Sequence, residues 1–204
     1  FQQNCTLFWC QKTKEAVVID PGGDVELIQA AIKQHQLTLV KVLLTHAHID
    51  HAGATKSISD FYNVVVEGPH QEDQFWIDLI PEQKARFGFA HADAFTTDRW
   101  LNQGDKVTFG DIELDVYFCP GHTPGHIVFY NTTQQMAFVG DVLFQGSIGR
   151  TDFPMSDHQA LIDSITNKLW PLGDEMTFIP GHGPNSTFGR ERETNAFVAD
   201  QRFG

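Results

Sequence analysis

Short apolar runs separated by turn residues dominate the hydrophobic pattern of this chain and predict a protein rich in short strands. Residues 6–10 and 16–19 predict adjacent antiparallel strands with a turn near 12–14. Residues 40–44 are largely apolar and β-branched, which is typical of a buried strand. Further strands are predicted at 64–66, 107–109, 112–118, 127–130 and 136–139.

Helical patterns lie between these strands and after the last of them. Asp24 is the predicted N-cap of a first helix, because apolar residues follow at three- and four-residue spacing. They are Leu27, Ile28, Ala31 and Ile32. A second helix is predicted over 52–61. A third, over 157–169, buries Leu161, Ile162, Ile165 and Leu169.

The stretch 71–98 has no regular pattern but is rich in aromatic residues, among them Phe75, Trp76, Phe87 and Phe95. Such a stretch can form a lid or a wall of a substrate cleft. Aromatic side chains more often pack in the core, so core packing is the favoured interpretation here.

The chemistry of the chain is concentrated where predicted strands end. Directly after the strand 40–44 comes Thr45-His46-Ala47-His48-Ile49-Asp50-His51. Two imidazoles at i and i+2 in an extended loop can bind one metal ion, and the Asp-His pair after them suits a second. Imidazole and carboxylate groups are ligands for Zn²⁺, Fe or Mn²⁺. A chance cluster of polar loop residues is a poor explanation for this spacing.

Three other predicted strands end in similar residues. Pro120-Gly121-His122-Thr123-Pro124-Gly125-His126 follows the strand 112–118, Gly140-Asp141 follows 136–139, and Pro180-Gly181-His182-Gly183 follows Phe178-Ile179. Glycine and proline allow the backbone to turn tightly at each end. Four strand ends with ligand-type residues in one chain predict a shared metal site.

Together these motifs resemble the metallo-β-lactamase superfamily, and within it the single-domain bacterial type II glyoxalases, which are hydroxyacylglutathione hydrolase-like proteins. Further stretches support that placement, namely residues 20–23, 146–154 and 171–174. The resemblance, with the strand and helix pattern, implies an α/β fold: an αββα sandwich of two facing mixed sheets flanked by helices. We expect residues 1–204 to form one such domain, without the C-terminal helical domain of two-domain glyoxalases II and with a shortened first strand.

The resemblance also implies two divalent metal ions per chain, with Zn²⁺ favoured and Fe or Mn²⁺ possible. His46, His48 and His122 would bind the first ion, and Asp50, His51 and His182 the second. Asp141 would bridge the two ions together with a hydroxide, so that Asp50 and Asp141 are the expected catalytic residues. Thr45, Asp20 and His126 are candidates for orienting the ligands.

The implied reaction is hydrolysis of glutathione thioesters, S-D-lactoylglutathione giving D-lactate and glutathione. Arg150 lies in the loop after the bridging aspartate and is the expected substrate-binding residue, through a carboxylate. An ion pair with Asp152 or Asp157 is an equal alternative for it. The main alternative activity is that of a persulfide dioxygenase with one iron, held by His48, His122 and Asp141 or an equivalent set.

Composition narrows the possible partners. The formal net charge is −12, which argues against nucleic acid as a partner. The expected partner is the small-molecule thioester that the resemblance implies. No apolar run reaches membrane-spanning length, and no signal peptide is visible. Three cysteines without framework spacing suggest free thiols in a reducing compartment, so a cytoplasmic location is expected. We also expect a monomer or a weak homo-oligomer.

Overall fold

The computed structural model describes residues 2–200 and contains two main β-sheets. The first sheet has the order β1-β2-β3-β4, with β1 antiparallel to β2 and the other pairs parallel. Its strands are Thr6–Trp9, Glu15–Ile19, Thr38–Leu43 and Val65–Glu67. The predicted pairing of the first two strands is therefore confirmed.

The second sheet has six strands in the order β12-β11-β8-β7-β6-β5. Only the β8–β11 pair is parallel. The strands are β5 Lys106–Phe109, β6 Ile112–Phe118, β7 Ile127–Asn131, β8 Met136–Gly140, β11 Thr177–Pro180 and β12 Ser186–Thr187. A small hairpin, β9 Leu143–Phe144 and β10 Ser147–Ile148, follows β8.

The helices occupy the chain between and after these strands. They are α1 Val25–Gln34, α2 Ile49–Ala52, α3 Thr55–Tyr62, α4 Gln74–Asp78, α5 Ile80–Phe87, α6 His158–Ser164 and α7 Phe188–Thr194. A 3-10 turn, Gln71–Asp73, precedes α4, and a π-helical turn, Ile165–Leu169, continues α6. Among the helices of residues 2–200, none is long and apolar enough to span a bilayer.

Successive side chains along each strand belong to different apolar cores, and this alternation produces the layers of the fold. Val17 and Ile19 of β2 pack in a core that includes Ile127 and Phe129 of β7, between the two sheets. Val18, between them in sequence, belongs to a second core with α1 and α3. Val128 belongs to a third core with α6. Because successive strand residues point to opposite faces, each sheet has one face toward its partner sheet and one toward helices. The predicted αββα sandwich is confirmed.

Two helix predictions need correction. The first helix begins at Val25, but Asp24 has a left-handed backbone (φ 50°) and its carboxylate makes no capping hydrogen bond. Leu27 is 69% exposed, because it lies about 200° around the helix from Val25. The buried face consists of Val25, Ile28 and Ile32.

The predicted helix 52–61 is divided into α2 and α3. The division lies at Gly53 and Ala54, where the backbone approaches the turn after β2: the Ala54 N–H donates to the Pro21 carbonyl at 2.8 Å. A Cβ at Gly53 would lie 2.7 Å from the Gly22 carbonyl oxygen. The turn after β2 therefore packs directly against the start of α3.

Candidate metal centre

All seven predicted ligand side chains lie at the carboxyl ends of four strands from both sheets. His46, His48, Asp50 and His51 follow β3 of the first sheet. The remaining three follow β6, β8 and β11 of the second sheet, and they are His122, Asp141 and His182. The sandwich brings these ends to one edge, where the ligand side chains form two clusters.

The first cluster consists of His46, His48 and His122, all buried. One ring nitrogen from each lies within 4.8 Å of the others. The shortest contact joins His48 Nδ1 and His122 Nε2 at 3.0 Å. His122 Nδ1 lies 2.8 Å from the Arg150 carbonyl oxygen, which leaves Nε2 for the cluster.

The second cluster consists of Asp50, His51 and His182, with one ligand atom from each again within 4.8 Å of the others. His182 Nε2 lies 3.2 Å from Asp50 Oδ2. Asp141 stands between the clusters. Its Oδ1 is 3.3 Å from His51 Nε2, and its Oδ2 is 3.4 Å from His122 Nε2 and 3.7 Å from His182 Nε2.

The donor atoms fit divalent cations. His46 Nε2 is buried and has no hydrogen-bond partner, and the buried His51 Nε2 and Asp141 Oδ1 have only each other, 3.3 Å apart, which is unfavourable for polar atoms unless something else binds them. Two ligands about 2.1 Å from one tetrahedral ion are about 3.4 Å apart, which is close to the spacing of these atoms. The fold family likewise implies divalent metal ions.

Asp20 orients the second cluster, as its sequence position suggested. Its Oδ2 lies 3.0 Å from His51 Nδ1, so the opposite ring nitrogen of His51 points to Asp141. The same carboxylate accepts the Thr45 N–H at 2.7 Å and the Thr45 hydroxyl at 2.6 Å. Asp20 therefore fixes both the end of β3 and the His51 ring.

His126 and Gly181 hold Asp141 in place. The Asp141 N–H donates to His126 Nε2 at 3.1 Å, and the His126 ring stacks on His46 with centroids 4.6 Å apart. A Cβ at Gly181 would lie 2.1 Å from Asp141 Oδ1 and 2.4 Å from His51 Cε1. Only glycine fits there, which explains the glycine before His182 in physical terms.

The electrostatics of the two clusters differ. Burial, aided by the neighbouring His122, lowers the pKa of His48 to about 3, and burial lowers the pKa of His46 well below its usual value. Burial also disfavours charge on His51, but the Asp141 and Asp20 carboxylates outweigh it and raise the pKa of His51 well above its usual range. The hydrogen bond to Asp50 raises the pKa of His182. Without metal, the second cluster therefore holds protons that the first lacks.

A cleft of about 540 Å³ opens onto Asp50, His122, Asp141 and His182. Its apolar lining includes Trp76, Leu79, Phe87, Phe144, Phe153 and Pro154. The stretch 71–98 thus supplies a cleft wall through α4 and α5, the interpretation that sequence reasoning disfavoured. Core packing holds for part of it, since Phe95 is 8% exposed and belongs to the core beneath the first sheet.

Arg150 lines the same cleft and is paired with a neighbour. Its Nε and Nη2 donate to the two oxygens of Asp152 at 2.9 and 2.7 Å, and its guanidinium lies 4.7 Å from the Phe153 ring centroid. Both partners of this pair are about two-thirds exposed, at 68% and 65% of their side chains. Such an exposed pair is weak, so the guanidinium is available to a competing carboxylate.

Sequence reasoning missed Asp73. This fully buried carboxylate accepts hydrogen bonds from the two loops that carry the first cluster. Burial raises its pKa to about 7, and these hydrogen bonds oppose a further rise. Nothing in the local pattern distinguishes Asp73 from the exposed Glu72 beside it, because only the fold brings its partners together.

Comparisons with known proteins agree with this geometry. The family model of the metallo-β-lactamase superfamily matches residues 1–182. Hydroxyacylglutathione hydrolase GloC of Haemophilus influenzae is 45% identical over 199 residues, covering 97% of this chain and 93% of that protein.

Solved structures show the same relationship. The BLEG-1 B3 metallo-β-lactamase superposes with a TM-score of 0.88 at 36% identity, covering 100% of this chain and 95% of that one. A di-iron-bound form of TTHA1623 superposes with a TM-score of 0.86 at 35% identity, covering 96% and 95%. The motifs, the fold and these relatives lead to one conclusion: the chain belongs to the metallo-β-lactamase superfamily.

Proposed function

We propose that the protein is a binuclear metallohydrolase that cleaves glutathione thioesters, with S-D-lactoylglutathione as the reference substrate. The observation that carries the proposal is the pair of complete ligand clusters joined by Asp141 at the base of a cleft. The 45% identity to a hydroxyacylglutathione hydrolase supports the substrate class. Family membership alone would not, because one fold hosts many reactions.

In this proposal His46, His48 and His122 would hold one ion and Asp50, His51 and His182 the other, and Asp141, which lies between the clusters, would be available to both. Two divalent ions, when bound, lower the pKa of a shared water and polarise the thioester carbonyl. Asp50 and Asp141 both line the cleft, so their carboxylates are within reach of a substrate bound there. The pKa of both is held below its usual value, against burial, by neighbouring histidines, so both are ionised at neutral pH.

The cleft walls position the substrate. Trp76 and Phe153 both contact the His48 ring, at centroid distances of 4.4 and 4.9 Å, and exclude water from one side of the centre. Arg150 at the same cleft is a cation that a substrate carboxylate can engage in place of Asp152. Glutathione carries such carboxylates, whereas the thioester itself needs only the apolar walls and the metal centre.

The direct test is the loss of thioester absorbance with S-D-lactoylglutathione, on protein of measured metal content. We expect rapid turnover with about two metal ions per chain. A β-lactam serves as the comparison substrate, because a structural relative is named a β-lactamase. One iron per chain, no thioester turnover and oxygen uptake with glutathione persulfide would instead establish the dioxygenase alternative.

Removing His51 tests the binuclear mechanism. His51→Ala takes one ligand from the second cluster, so we expect metal content to fall from about two ions to about one. Turnover should fall by about 100-fold or more, beyond the 10–100-fold loss typical of changes around the ligands. His91→Ala, at a half-exposed surface histidine, is the control. Undiminished thioester turnover in His51→Ala would rule the mechanism out.

Arg150 should control substrate affinity. Arg150→Ala is expected to raise KM about tenfold with kcat nearly unchanged, since a charge-assisted hydrogen bond contributes about 1.5 kcal/mol or more. Asp152→Asn should lower KM, because it frees the guanidinium. The control is Arg190→Ala, an exposed arginine outside the cleft lining. Equal KM values in all four proteins, wild type included, would exclude Arg150 from substrate binding.

Metal occupancy should depend on pH in two steps. His51 and His182 have raised pKa values, whereas the pKa of His48 is about 3, so protons displace metal from the second cluster first as the pH falls. Dialysis from about pH 8 to about pH 5, followed by metal analysis, should show a plateau near one ion per chain. His51→Ala should lack the step at higher pH. Loss of both ions in one step would contradict the prediction.

A further inference from the structure

The first ligand cluster is assembled from both sheets. His46 and His48 follow β3 of the first sheet, whereas His122 follows β6 of the second. No single strand therefore sets the distance between these imidazoles. It depends on whatever fixes the loop 44–48 to the loop 119–126. We call these the first loop and the second loop.

One buried carboxylate joins the two loops through their backbones. Asp73 Oδ2 accepts the Ala47 N–H of the first loop at 2.9 Å, and Ala47 lies between His46 and His48. In the second loop, the Thr123 hydroxyl donates to Oδ2 at 2.9 Å and the Gly125 N–H donates to Oδ1 at 2.6 Å. Thr123 directly follows His122. The side chain of Asp73 is fully buried.

We propose that Asp73 is a positioning residue that sets the spacing of the first metal site by clamping the first loop to the second loop. The proposal rests on the metal centre of the proposed function, but not on the identity of its substrate. Asp73 touches none of the proposed ligands itself. It acts through the Ala47 peptide between His46 and His48 and through Thr123 and Gly125 in the loop after His122, as an outer partner of the site.

A carboxylate is the chemical group that this position requires. Three donors converge on its two oxygens, and a carboxylate accepts without donating. An asparagine of the same shape would turn an NH₂ group toward at least one of these donors. The NH₂ group would repel the donor that it faces, and the first loop and the second loop would no longer be held at the same distance.

The loops also have contacts that do not involve Asp73. The Ile127 N–H donates to the Thr45 carbonyl at 2.8 Å, and the His70 N–H donates to the Gly125 carbonyl at 3.0 Å. These bonds survive when Asp73 changes. We therefore expect the fold to persist while the fine spacing of His46, His48 and His122 relaxes.

The position of Asp73 also connects the clamp to the cleft. α4 begins at the next residue, Gln74, and Trp76 one turn on packs edge-on against the His48 ring at 4.4 Å. The same turn thus packs a side chain against the proposed ligand His48 and accepts the N–H of Ala47, the residue before it. The turn at residues 73–76 therefore supports both the spacing of the proposed ligands and one wall of the cleft.

The test measures metal binding by the site itself. In a His51→Ala background, which leaves the first cluster intact, Co²⁺ is titrated into metal-free protein and followed by its visible ligand-field spectrum. Asp73→Asn should weaken Co²⁺ binding about 10–100-fold and shift the spectrum, as expected for loss of an outer-shell partner. Glu72→Gln, the neighbouring exposed acid, is the matched control and should change neither.

A second background separates positioning from general destabilisation. In His48→Ala, which leaves Asp50, His51 and His182, Asp73→Asn should change Co²⁺ affinity by less than about threefold, well under the effect expected at the first cluster. An equal loss of Co²⁺ affinity in the His51→Ala and His48→Ala backgrounds, or no loss in either, would overturn the proposal. If Asp73→Asn does not fold, Thr123→Val decides. It removes one donor at constant shape, and an unchanged Co²⁺ affinity and spectrum at the first cluster would overturn the proposal too.

These outcomes are separable from those of the proposed function. Wild-type protein that binds two ions but leaves thioesters intact would refute the substrate and leave the clamp in place. Thioester turnover with normal Co²⁺ binding in Asp73→Asn would refute the clamp alone.

Discussion

The structure depends on one constraint: seven histidine and aspartate side chains must converge at the junction of two sheets. Polar atoms without partners are unfavourable in such a place, and several of these have none within the described chain. Divalent cations, which the fold family implies, would satisfy the inward-pointing atoms. The remaining protein has to hold every other polar atom of these side chains in the right direction.

Hydrogen-bonding groups that lie behind the ligand side chains orient these polar atoms. Asp20 holds His51, the Arg150 carbonyl holds His122, and His126 holds the backbone of Asp141. Each fixes a ring or a peptide so that a chosen atom faces the centre. Asp73 has the same role one step further out, on the Ala47 peptide between His46 and His48 and on the loop that follows His122. Rigidity of the centre thus comes from polar contacts, while the three apolar cores place the strand ends.

Much of this arrangement could be predicted because its signals are local in the sequence. The apolar runs predicted the strands, and ligand-type residues directly follow them, so His46, His122 and Asp141 stood out as candidates at strand ends, while their roles as ligands came from the family resemblance. Asp73 was missed because its three partners are 26, 50 and 52 residues away in the sequence. The exposure of Leu27 and the break at Gly53 were missed for a related reason. Tertiary packing decides which face of α1 is buried and how closely the turn at Gly22 approaches Gly53. In both places it overrides local propensity.

The ligands and the cleft lining come from different parts of the chain, which explains how this fold supports relatives with different names. The proposed metal ligands follow the strand ends, whose positions the sandwich fixes. The cleft lining comes mainly from α4, α5 and the segments around Phe144 and Phe153, which touch the centre only from one side. Substitutions in these walls change what fits above Asp50 and Asp141 without moving either. Trp76 and Phe153 both pack on His48, and of these two Trp76 also follows Asp73 in the same turn. Substitutions in that turn therefore change the shape of the cleft and the spacing of the proposed ligands together.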